Sequence, residues 1–179
     1  MLWVTRNFVH VDRVACPWLI KRFVDKQAQF IFLPAEEIPE FAKKTGAIPY
    51  DVSGAELTHY ERDGAKFCSF DSIVEKYKLT EDKALHKLRE IVNAADTGKM
   101  KEFPLAIGLE AIASGAPLMV DSDHDALAVE FPLYDSLYAF FQRNIVYNEN
   151  KETMKGFKNR GEASEFIKRK IKELKSLKK

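Results

Sequence analysis

Leu2-Trp3-Val4-Thr5 reads as a short strand, and the period then changes. Val14, Trp18, Leu19 and Phe23 recur at helical spacing through "RVACPWLIKRFVDK". Asp12 stands where a cap for that helix would be, and Pro17 lies near its first turn, where proline is tolerated. "QFIFLP" reads as a buried strand ended by Pro34, "AEEIPEFAKKTG" as a short helix stopped by Gly46, and "AIPYDV" as a strand. "LTHYERDGAKFCSF" carries a hairpin signal, because Asp63-Gly64 suits a type I′ turn with positive φ at both central residues. From that turn Arg62 meets Ala65, Glu61 meets Lys66, Tyr60 meets Phe67 and His59 meets Cys68.

The pattern is helical thereafter. Asp71 is placed to cap "SIVEKYK", and Thr80 to cap "EDKALHKLREIVNAAD", whose Leu85, Leu88, Ile91, Val92 and Ala95 form one apolar face. "PLAIGLEAIASG" is bounded by Pro104 and Gly115, and "SDHDALAVEFPLYDSLYAFFQRNI" predicts a long helix bent at Pro132. Strands followed by helices predict a helix-rich α+β fold. A small N-terminal sheet with a hairpin precedes a helical half, in place of a repeating βαβ pattern.

Charge divides the chain further. Residues 151–179 hold eleven Lys/Arg against four Glu, so their +7 within a total of +1 leaves −6 on the first 150 residues. The expected units are a domain over residues 1–147, a linker over 148–160 and a basic amphipathic helix over 161–179, with Phe166, Ile167, Ile171, Leu174 and Leu177 on one side. That helix would bind an acidic partner or pack on its own domain. No nucleic-acid-reading motif accompanies it, so sequence-specific nucleic acid is not an expected partner. Two cysteines, early charge and no apolar run of membrane-spanning length predict a cytoplasmic protein without a transmembrane segment. Phosphate-loop, dinucleotide-fingerprint and serine-elbow motifs do not occur.

Candidate chemistry falls in two sets. His59, Cys68, Asp96, Asp123, His124 and Glu56 are residue types that ligate a divalent metal, zinc or iron. Each has a structural alternative: Asp121, Ser122 and Asp125 as a helix cap, Cys68 as a small buried residue, His59 as a hydrogen-bonded surface histidine. Arg13, Trp18 and Arg22, with Asp12, form the second set, suited to a small oxyanion, or else to arginines solvated or in ion pairs. Cys16 near a helix start is either activated or buried, and His86 lies on the polar side of its helix.

"WVTRNFVHVDRVACPWLIKRFVD", "YDVSGAELTHYERDGAKFCSFD", "ADT", "DSDHDAL" and "LYDSLYAFF" occur in this order. Over about residues 3–142 the chain thereby resembles the C-terminal domain family of the chromate resistance protein ChrB. Longer members of that family carry an N-terminal regulatory domain that these 179 residues do not include. The resemblance implies a link to chromate or oxidative stress. Three functions follow as expectations: a metal-binding domain with scope for a small metalloenzyme, a non-catalytic sensor of chromate or a related oxyanion, or an interaction module using the basic C-terminal helix.

Overall fold

A computed structural model describes residues 1–176, so Leu177 lies outside the described residues. β1 (Leu2–Arg6) is the middle of a three-stranded sheet of order β2-β1-β3, pairing in parallel with β2 (Gln29–Leu33) and β3 (Ile48–Pro49). Parallel pairing demands crossovers. The first is α1 (Val11–Leu19), whose last turn widens to i→i+5 bonding over Ile20–Val24. The second is a 3₁₀ turn over Ala35–Glu37 running into α2 (Ile38–Thr45), which Gly46 ends at φ +73°. The helix-rich α+β class holds, but the N-terminal part does contain β-α-β crossovers. The helix between the first two strands serves as a crossover, which the strands-then-helices reading passed over.

β4 (Tyr60–Arg62) and β5 (Ala65–Phe67) form the hairpin in the expected register, with Asp63 at φ +53° and Gly64 at φ +74°. The ladder ends at Tyr60 and Phe67, one pair short of His59 and Cys68. The Tyr60 and Phe67 rings stack at 4.9 Å. Tyr60 Oη and Arg62 donate to Glu75, and Asn93 Nδ2 donates to Lys66 O, so the hairpin is fixed to the helices behind it. It therefore presents His59 at a defined place.

α3 (Ser69–Lys76) starts two residues before the expected cap. Cys68 is the N-cap, and Asp71 reaches back to accept the Cys68 N–H. Likewise α4 (Lys83–Asp96) is capped by Asp82, which accepts from Ala84 N and Leu85 N, and not by Thr80. Its predicted face of Leu85, Leu88, Ile91, Val92 and Ala95 is buried, packed with α1, α5 (Pro104–Gly115) and α6 (Asp123–Glu149). α6 runs about 40 Å at 1.5 Å per residue and continues through Pro132.

α7 (Lys151–Lys155) occupies the stretch read as a linker, and α8 (Arg160–Ser176) packs on α6 with Ile167 buried. One fully buried isoleucine is worth about 2 kcal/mol. A chain ending at Asn150 is therefore expected to melt cooperatively within about 10 °C of the full chain, as measured by circular dichroism. Insolubility or a larger fall would make α8 part of the core.

Candidate functional site

Four side chains converge near the carboxyl ends of β1 and β3. Asp12 sits in the first turn of α1, 2% exposed, and is not the cap: position 10 is the N-cap. Its carboxylate accepts the backbone N–H groups of Ser69 (2.7 Å) and Phe70 (3.0 Å) at the start of α3, where the helix dipole favours negative charge. Asp51 follows β3 at φ +48°. It accepts Arg6 Nη2 (2.9 Å) and Arg13 Nη1 (3.2 Å) on one oxygen and Ser69 Oγ (3.0 Å) on the other. Asp96 is the last residue of α4, and His59 stands immediately before β4.

His59 Nε2 lies 3.2 Å from Asp51 Oδ1, 3.2 Å from Asp96 Oδ2 and 3.5 Å from Asp12 Oδ2. One N–H cannot be directed at three carboxylates, and the buried Asp96 Oδ2 receives no hydrogen bond from the described residues. Hydrogen bonding to Asp12 and then Asp51 pushes the imidazole up to about 10, against the opposing effect of partial burial. Burial, followed by repulsion from Asp12, pushes Asp96 up to about 7. Burial would raise Asp51 too, but His59, Arg6 and Arg13 outweigh it and hold Asp51 below its ordinary value. Both arginines go to Asp51, so His59 is the cation beside Asp12 and Asp96.

One ligand atom from each of Asp12, His59 and Asp96 falls within 4.8 Å of the other two. Bonds of about 2.0–2.2 Å to a first-row ion place neighbouring ligand atoms about 3.0–3.5 Å apart in octahedral or tetrahedral geometry. The 3.2–3.5 Å separations around Nε2 match that span. One nitrogen with carboxylate oxygens suits zinc or ferrous iron, and the outer contacts to Asp12 and Asp51 would fix the ligands in place. His59 is 47% exposed and borders an open hollow of about 600 Å³, with Tyr60, Lys66, Phe67, Asp96 and Thr97 among its walls.

Among the sequence candidates, His59 and Asp96 come together; the other proposed ligands do not join them. Asp123 accepts the N–H groups of Phe8 (3.0 Å) and Val9 (2.8 Å). His124 packs edge-on against Phe32 at 5.0 Å. The "DSDHD" signal is a helix start, with Ser122 Oγ accepting from Asp125 N. Cys68 is fully buried at the start of α3, and Glu56 pairs with Lys76. Cys16 is buried and donates to Asp12, and burial pushes both thiols well up, which disfavours the thiolate. Arg13 is held by Asp51 and Phe8 O, whereas Trp18 Nε1 and both arms of Arg22 go to Asp135. The arginines are ion-paired at different carboxylates and do not converge on one anion. His86 is exposed beside Glu90.

The sequence reading did not single out Asp51, and it grouped Asp12 with Arg13, Trp18 and Arg22; the structure brings Asp12 beside His59 and Asp96. A parallel sheet would have pointed to Asp12 and Asp51, because ligands gather beyond the carboxyl ends of parallel strands.

No solved structure matches the chain. A curated relative named Protein ChrB, from Cupriavidus metallidurans, is 36% identical over 141 residues. The match covers 78% of this chain but only 40% of that relative's length. The family described as "ChrB, C-terminal domain" matches residues 3–141, a range that holds Asp12, Asp51, His59 and Asp96 and stops short of α8. The chain belongs to the ChrB C-terminal domain family.

Proposed function

We propose that this domain binds a divalent cation, zinc or iron, between Asp12, His59 and Asp96, with Asp51 beside them, and acts in a response to chromate or oxidative stress. The observation that carries the cation reading is the place of His59 Nε2, 3.2–3.5 Å from three carboxylates. A cation there would satisfy the carboxylates that a single imidazolium proton cannot. The stress assignment rests on the resemblance to the chromate resistance family alone.

The hollow beside His59 supports a further role. A cation held from the protein side would keep coordination positions toward solvent, and such an ion lowers the pKa of bound water or polarises an oxygen. Within that arrangement Asp12, His59 and Asp96 ligate, Asp51 orients, and the hairpin walls one side of the opening. The oxyanion-sensor reading has less support, since Arg13 and Arg22 already hold carboxylates.

Chelator-stripped protein, dialysed separately against Zn²⁺, Mn²⁺ and Fe²⁺ under argon, is expected to retain one ion per chain. His59→Ala and Asp96→Asn should each reduce retention at least tenfold, and His124→Ala should not change it. Wild-type protein that stays metal-free, or a His59→Ala variant that loads normally, refutes the site. Unchanged chromate tolerance in cells lacking the chain refutes the stress role while leaving the site standing.

A further inference from the structure

Phe8 occupies the loop between β1 and α1 at φ +59°, a left-handed conformation that bulky residues rarely adopt. Every polar group of its backbone is held there. Asp123 accepts its N–H and that of Val9, and Arg13 Nη2 donates to its carbonyl at 2.8 Å. The result is a phenyl ring 81% exposed to solvent. Burial gains nothing from this arrangement, and glycine would adopt it without strain. Backbone strain maintained by three hydrogen bonds for the sake of an exposed ring points to a contact.

The ring is not alone. Phe8 borders a hollow of about 580 Å³ walled also by Ile31, Phe32, Pro117 and Val120. Between Pro117 and Val120 stand Leu118 and Met119, 87% and 77% exposed. Three large apolar side chains at that exposure, around one hollow, make up a few hundred Å² of the kind that marks an interaction site. Asp121 and Asp123 line the same hollow, and Asp125 follows on the exposed side of α6.

We infer that this face docks an apolar segment of a partner protein that carries lysine or arginine. The acids decide the occupant. Acids on the rim of an apolar hollow favour a basic occupant, and an anionic lipid surface would be repelled. An apolar side chain fits the hollow beside Phe8, and a neighbouring cation meets Asp121.

Two labelled peptides of 15 residues test this, one of leucine and phenylalanine interspersed with lysine, the other identical but with glutamate for lysine. Full-length protein is expected to bind the lysine peptide at least tenfold more tightly by fluorescence anisotropy. Phe8→Gly and Leu118→Ser should each weaken it at least tenfold. Phe8→Gly should also raise the melting temperature, because it removes the strain, so its loss of binding cannot be loss of fold. Equal binding of the two peptides, or binding indifferent to both substitutions, overturns the inference. So does dimerisation abolished by Leu118→Ser in sedimentation, which makes the occupant a second copy, or co-pelleting with phosphatidylserine vesicles, which makes it a membrane.

Discussion

At pH 8, each cation that binds between Asp12, His59 and Asp96 is expected to displace close to one proton, and affinity is expected to rise about tenfold per pH unit between pH 7.5 and 9. Only neutral imidazole ligates. With Asp12 and Asp51 pushing His59 up to about 10, roughly one molecule in a hundred presents a neutral ring at pH 8. The ion must therefore expel the proton, and its apparent affinity follows the neutral fraction. Below pH 7 the Asp96 proton, held to about 7 by burial and Asp12, adds to the release. Without metal the signs run the other way. Both groups are raised above their ordinary values, so their favourable contributions are complete below those values. His59's is lost as pH rises through about 10, and Asp96's as pH rises through about 7. Titration calorimetry in Hepes and in Tris, whose ionisation heats differ, counts the protons. Affinity flat from pH 7.5 to 9, with no buffer-dependent heat, would remove His59 from the ligand set.

The sequence carried the parts of this site that depend on local rules. Asp63-Gly64 dictated the hairpin register, and that register placed His59 just outside the ladder. The apolar period of α4 fixed its buried face and left Asp96 at its end. Tertiary choices were not legible. "DSDHD" holds two ligand types, but neither joins the cluster: Asp123 holds the Phe8 loop, and His124 packs against Phe32. Asp51 lies alone in "YDVSG", and only the pairing of β3 beside β1 brings it toward Arg6 and Asp12. That pairing is long-range and leaves little trace in periodicity. Cys68 had the right spacing from His59, but the turn into α3 takes it into the core, where its backbone serves as a cap.

Glu130→Leu is expected to stabilise the protein at pH 8 and to do so much less at pH 5. Glu130 lies on the inner face of α6, fully buried, and neither carboxylate oxygen has a hydrogen-bond partner among the described residues. Tyr134, one turn on, is no help, because its hydroxyl donates to Val11 O at 3.2 Å. Burial alone pushes the Glu130 carboxyl up to about 7. Its folded value is thus above its unfolded one. The associated stability is complete below about pH 4.5 and lost as pH rises through about 7. At about 1.4 kcal/mol per pKa unit, the loss at pH 8 is on the order of 3 kcal/mol. Leucine has similar bulk and no charge to desolvate, and replacing a buried ionised group with a well-packed apolar one is often stabilising. For a chain of this size that loss corresponds to a melting-temperature gain at pH 8 of about 5–10 °C over wild type. Scanning calorimetry of both proteins at pH 5 and pH 8 isolates the effect, because titrations common to the two cancel in the difference. An equal gap at the two pH values would mean that Glu130 does not titrate between them. A Glu130→Leu protein less stable than wild type at pH 8 would mean that the carboxylate has a stabilising partner, and the core around α6 would become a second place to look for a bound cation.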